Sequence, residues 1–301
     1  MSKRCYKNNK MSILKGMKLE PLLLFIGLML LIGCKDGQKQ KTDPAVTDPG
    51  INTSTTADEN YELHFDAIDQ DQAAQIGRWL DQGHAAIHQF FGSDFQQKFD
   101  VYLFSERDSL DKQWQKDWNM PDFKSQCWMV ASGIAHRLDI LSPRVWETQA
   151  CEHQSKDTLA TQKLIVHEVV HVFHGQHNPS PTFEHVENID WLVEGLAVYA
   201  SGQLDEDRYE RAKAFMQSEE GPNKLADVWK GEHKYGLAGT LVKFIDDTYG
   251  RKTLIQLIGQ TKGDEVLQVL AITEEDLIKQ WKKSFLLINK SQASVMGIGK
   301  I

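Results

Sequence analysis

Basic residues are too few in this 301-residue sequence to balance its acids. Lys and Arg number 34 against 42 Asp and Glu, a net charge of −8. Phosphate binding needs a basic footprint, so nucleic acid is excluded as the main partner. Glycine and proline are sparse, 21 and 8, which excludes a collagen-like or wholly disordered chain. Long apolar runs are missing apart from Leu22–Ile32, which falls short of the roughly 20 residues a membrane-spanning helix needs. There is no internal repeat. What remains is ordinary for a soluble chain able to bury a core: 41% hydrophobic and 25% charged residues, and a length that suits one or two domains.

The apolar run follows a basic stretch holding Lys3, Arg4, Lys7, Lys10, Lys15 and Lys18. Cations before a short apolar run form the pattern of a secretory signal, starting at Met1 or at Met11. The run ends Leu31-Ile32-Gly33-Cys34, which resembles the lipobox of bacterial lipoproteins. That resemblance implies cleavage after Gly33 and diacylation of the Cys34 thiol, so the protein is expected at the cell envelope, on the exported side, anchored by lipid. Residues 1–33 hold six of the cations and, among the acids, only Glu20, so their removal moves the net charge from −8 to −13. With Cys5 discarded and Cys34 acylated, Cys127 and Cys151 remain. In an oxidising compartment they either pair or stay as two separate buried thiols. A bridge closing about 25 residues would stabilise by roughly 3 kcal/mol.

Residues 34–60 carry Pro44, Pro49, Gly50 and many Thr and Asp but almost no large apolar side chain. They read as a flexible tether reaching on the order of 30 Å. From Tyr61 the texture changes. Tyr61–Phe65 alternates like a half-buried strand, residues 72–92 have helical spacing, and Phe99–Phe104 reads as a strand followed by a polar helix over 106–119. Cys127–Ile134 and Arg137–Leu141 read as two further strands. Helical patterns then cover 157–176, 188–202, 204–218, 234–249 and 273–289. The expected fold class is α+β: a small N-terminal mixed sheet with helices, then a mainly helical half, in one domain over 61–290 with a disordered tail over 291–301.

The chemistry concentrates in Leu164-Ile-Val-His167-Glu168-Val-Val-His171-Val-Phe173. Histidines four apart share one helical face and can hold a single Zn²⁺. Glu168, beside the first of them, is placed to act as a general base. A third ligand is available in Trp191-Leu-Val-Glu194-Gly195-Leu-Ala-Val-Tyr199, a second apolar helix whose isolated acid requires a partner. His177 stands ten residues after His167, where metzincins place a third ligand, but their turn glycine would fall at His174, and Gly175 is one place late. Glu194, with a helix built around it, is the stronger choice. His174 shares the ligand face, one turn beyond the metal.

These motifs resemble the gluzincin metallopeptidases, more closely their membrane-alanyl-aminopeptidase-like and peptidase-MA-like branches. The match covers His167–His171, Trp191–Tyr199 and the general plan from about Tyr61 to Asn289. The resemblance implies Zn²⁺ held by His167, His171 and Glu194, Glu168 as base, and Tyr235, in Tyr235-Gly-Leu-Ala-Gly239, as the donor to the oxyanion. It also implies that the strand around Val130–Ala135 receives an extended peptide. Two departures matter. The aminopeptidase Gly-Ala-Met-Glu-Asn stretch is absent, Ala131-Ser-Gly-Ile-Ala135 standing in its place, which favours an endopeptidase. The thermolysin-like Asp four residues after the ligand Glu is Val198 here. Three functions follow: a lipid-anchored zinc endopeptidase acting on peptide or protein, a non-catalytic envelope lipoprotein with a structural or vestigial metal site, and a hydrolase of some other ester or amide.

Overall fold

Strand β1 (Thr53–Ala57) pairs antiparallel with β2 (Tyr61–Asp66). The computed structural model describes residues 53–218 and 221–295, which fall in one unit spanning Asp48–Ile301. The signal segment and Cys34 lie outside the described residues. β1 corrects the expected tether, whose last part joins the sheet. Thr53–Thr56 is β-prone and pairs with a strand whose alternating pattern is strong, so context overrides its low hydrophobicity.

Along β2, Tyr61, Leu63 and Phe65 point inward and the residues between them outward. The buried set meets Ile76, Leu80, Ile87 and Phe91 of helix α1 (Gln70–Phe91), which ends at Gly92 in the left-handed conformation. Next come β3 (Phe99–Phe104), helix α2 (Arg107–Asp117), β4 (Ala131–Ile134) and β5 (Arg137–Leu141). The strand order is β1-β2-β3-β5-β4, with β2, β3 and β5 parallel and β4 antiparallel at the edge. β4 is shorter than the expected Cys127–Ile134 because Cys127 is tied elsewhere, in a disulfide to Cys151.

After the short helix α3 (Trp146–Gln149), helix α4 (Thr158–His177) starts on Asp157, whose carboxylate accepts from the Ala160 backbone N–H. α4 packs on α1 and on β4. Buried Gln176 fastens its end to the sheet, accepting from Gln96 and Gln97 N–H and donating to the Ala135 carbonyl. The helical half continues with α5 (Asp190–Ala200), α6 (Glu206–Met216), α7 (Leu225–Val228), α8 (Lys234–Tyr249), α9 (Arg251–Leu257), α10 (Gly263–Leu270) and α11 (Glu274–Val295). The α+β class is as expected. Helix α11 runs past residue 290 into the stretch expected to be a disordered tail, with no helix breaker before Gly297. Helices α3, α7, α9 and α10 have no counterpart in the sequence reading, being only 4, 4, 7 and 8 residues long.

Two close approaches position the site. A Cβ on Gly133 of β4 would lie 2.4 Å from the Glu168 carbonyl oxygen and 3.3 Å from His171 Cβ, so only glycine lets the edge strand rest on α4 there. A Cβ on Gly195 would lie 2.5 Å from the Ala238 carbonyl, so α5 and α8 meet almost backbone to backbone.

Candidate metal centre

Helix α4 is apolar on nearly every face over this stretch: Val166, Val169, Val170, Val172 and Phe173 are all buried. His167 and His171, one turn apart, are buried among them, each 6% exposed. Their rings stand 4.8 Å apart at 81° and bring their Nε2 atoms to 3.1 Å. Helix α5 runs alongside, sunk by Trp191, Leu192, Val193, Leu196 and Ala197. Its one central acid, Glu194, places Oε2 3.4 Å from His167 Nε2 and 3.6 Å from His171 Nε2.

Those three distances test whether a metal fits. Tetrahedral ligand atoms about 2.05 Å from a common centre stand about 3.3 Å apart. The observed edges of 3.1, 3.4 and 3.6 Å lie around that value. Two imidazoles and a carboxylate are also the mixed nitrogen and oxygen set that zinc takes. The residues fit the ion. Electrostatics agree: burial alone would raise the Glu194 carboxyl, but the His171 and His167 imidazoles outweigh it and hold it well below its usual range. Burial alone would lower His171, but Glu194 raises it overall.

Glu168 stands next to His167 on α4, half-buried, with its backbone pinned by Gly133. Tyr235, in the first turn of α8, brings its ring to 6.4 Å from the His167 ring. Burial, reinforced by the charges of Glu194 and Glu168, pushes its hydroxyl far above the usual tyrosine range. His167, His171 and Glu194 thus come together, with Glu168 beside the first of them and the Tyr235 ring 6.4 Å from the His167 ring.

The competing histidines do not join them. His177 Nδ1 bonds the Phe173 carbonyl. His174 lies fully buried with Nε2 on the Ile258 carbonyl. Burial, with the nearby His171 charge, lowers it to about 3, so it is neutral and donates. Val198, where a thermolysin-like carboxylate would stand, is buried against Gly239 between α5 and α8. The Nδ1 atoms of His167 and His171 have no hydrogen-bond partner among the described residues, so no carboxylate takes the orienting role that often backs a metal-bound imidazole. The rings meet aromatic neighbours instead, His167 against Tyr235 and His171 against Phe183 at 6.2 Å. A second trio, Glu62, His64 and Asp100, is half-exposed, and His64 already bonds Asp100 at 3.2 Å.

Sequence reasoning missed Arg208 of α6, which packs over Gly236, the residue after Tyr235. It also missed Lys234, whose ammonium lies 5.1 Å from the Tyr235 ring. Neither belongs to a motif. The one available signal was a lysine at the start of a helix, where the macrodipole disfavours it.

No family model matches the sequence, and no curated protein does. Among solved structures the chain is similar to Legionella pneumophila aminopeptidase A in complex with aspartic acid, at 10% identity and a TM-score of 0.45. The match covers 78% of this chain and 27% of that one, so this chain spans about a quarter of the aminopeptidase's length. The fold and the site define an α+β protein with a candidate metal site of two histidines and a glutamate.

Proposed function

We propose that this protein is a gluzincin-type zinc peptidase, with His167, His171 and Glu194 holding the ion. The observation that carries the reading is the triangle of ligand atoms, with edges of 3.1, 3.4 and 3.6 Å, flanked by Glu168 and Tyr235. When bound, zinc would supply Lewis acidity, polarising a carbonyl and making water acidic near neutral pH. The protein's own groups do the rest. Glu168 takes the proton of the attacking water and passes it to the leaving amine as the C–N bond breaks. Tyr235 donates to the carbonyl oxygen as charge builds on it, a contribution of about 2.7–4 kcal/mol for one such donor. The free edge of β4 offers backbone groups to an extended peptide, which suits an endopeptidase.

A structural site is closed by four protein ligands, whereas a catalytic one keeps a position open. Among the described residues the group has three members, and His174, one turn further along α4, is committed to Ile258. This favours catalysis over the alternative of a non-catalytic envelope lipoprotein. We place the protein on the cell envelope through acylated Cys34, on the strength of the sequence before it. Mass spectrometry of the mature N-terminus tests this, an unacylated Cys34 being the contrary result.

The test of function joins metal analysis to hydrolysis of an unfolded casein-like substrate. One zinc per chain, activity abolished by a chelator, and a Glu168→Gln variant that keeps zinc but loses about 10²–10⁴ in rate are expected. A chain that binds no zinc, or a Glu168→Gln variant with full activity, would overturn the reading.

A further inference from the structure

Lys234 is the first residue of α8, a helix with no acid in its first turn and no side-chain cap. A cation there opposes the helix dipole, so it contributes nothing to helix stability. Its ammonium lies 4.4 Å from the Trp229 ring, 5.1 Å from Tyr235 and 5.7 Å from Trp128, all within reach of cation–π attraction. Among the described residues it has no carboxylate partner. Glu152, whose charge reaches Tyr235, makes no ion pair with it.

The aromatic wall is rigidly built. Trp229 meets Tyr235 edge to face at 4.9 Å. Trp128, 41% exposed, follows Cys127 of the disulfide, and its carbonyl bonds His153. The guanidinium of Arg107 holds the carbonyls of Gln126, Cys127 and Met129. Trp128 also lies just ahead of edge strand β4, which begins at Ala131. On the other flank, Arg208 is half-buried and packs over Gly236, the residue after Tyr235; its guanidinium makes no ion pair among the described residues, although the charges of Asp205 and Asp207 act on it. The Lys234 ammonium therefore stands beside the tyrosine without a carboxylate partner among the described residues, close to Trp128 just ahead of the strand along which a peptide would lie, with Arg208 packed over the next residue, Gly236. Ring faces hold the ammonium in place but offer its N–H groups no acceptor of the strength of a carboxylate.

We propose that Lys234, walled by Trp128 and Trp229 and assisted by Arg208, is a subsite for a substrate carboxylate, selecting peptides that carry an acidic group next to the cleaved bond. It rests on the peptidase reading for the source of that carboxylate. It is tested without turnover, so that the two can fail separately.

The probes are N-acetyl-tetra-alanine as the free acid, the same peptide as its amide, and amides with one Asp replacing Ala at each position. Binding is measured calorimetrically on the zinc-loaded full chain in the Glu168→Gln background. At least one carboxylate-bearing probe is expected to bind about 10-fold tighter than the neutral amide, as one charge-assisted hydrogen bond gives. Adding Lys234→Met should bring that ratio close to one, and Lys234→Arg should keep it. A preference for the free acid points to the C-terminal carboxylate, and one for an Asp amide points to a side chain. Both support the subsite. Equal binding of all probes, no binding of any, or a preference that survives Lys234→Met would overturn it. A chain that prefers the acids yet cleaves nothing would uphold the subsite and count against the peptidase reading.

Discussion

Replacing Gly133 by alanine probes the site through the sheet rather than through its ligands. The added Cβ would sit 2.4 Å from the Glu168 carbonyl oxygen, where ordinary contact begins at 3.4 Å, so strand and helix must part by about 1 Å. Neither can yield easily. The turn after β4 is fastened by Gln176 to Ala135, and Gly175 allows α4 only the space it already uses, with a Cβ there 2.8 Å from the Ala135 nitrogen. Overpacking of this kind costs about 1–3 kcal/mol. For a domain of this size each kcal/mol lowers Tm by about 2–4 °C, so the melt should fall by about 2–12 °C. Activity should fall further, by about 10²-fold, because a 1 Å shift moves Glu168 and His171 together relative to the substrate. Calorimetry and kcat/KM on the same preparation read both effects. Gly259→Ala is the control: its nearest neighbour, the Gln256 carbonyl, lies at 3.9 Å, and its effect should stay within about 0.5 kcal/mol. A Gly133→Ala protein that melts and cleaves like the parent would refute the close approach and its link to the site.

Other outcomes follow from the same structure. Tyr235→Phe should lose about 10²–10³ in kcat with KM little changed, and an equal loss in binding would remove it from transition-state stabilisation. Burial pushes the Asp139 carboxyl from 3.8 up to about 6, although Arg137 and Trp114 oppose the shift. The native state then holds a proton that the unfolded chain has released, so this group's contribution to stability is present below about pH 4 and declines as pH rises to about 6. Denaturant midpoints compared with Asp139→Asn across that window should show the decline, and a difference that does not vary with pH would contradict it. Cys127→Ser with Cys151→Ser opens a loop of sequence separation 24 and should cost about 3 kcal/mol by chemical denaturation. Unchanged stability would mean that the surrounding contacts hold that loop without the bridge.

The parts of the fold that are legible in sequence are those where one strong pattern acts alone. The alternation of Tyr61–Phe65 and the apolar faces of α1 and α4 mark their elements because burial on one side dictates them. The metal trio is legible for a similar reason. An acid or an imidazole inside an apolar helix needs a partner, and spacing along two helices leaves few candidates. What escapes is set by long-range geometry. The strand character of Thr53–Ala57 comes from its neighbour β2. Short helices such as α10 carry too few residues to show a period. Arg208 packs over Gly236, the neighbour of Tyr235, from another helix, and no local pattern encodes that meeting. The commitment of His174 to Ile258, 84 residues away, is equally silent.

Gly195 directly follows Glu194, the acid of the candidate metal site, yet it performs no chemistry. Its missing side chain sets how far the helix bearing Glu194 stands from the helix bearing Tyr235. A two-letter signature in the sequence therefore joins a reagent to a spacer. Exchanging the first letter would change the donor set of the candidate site, whereas changing the second would alter the gauge on which the two helices are aligned.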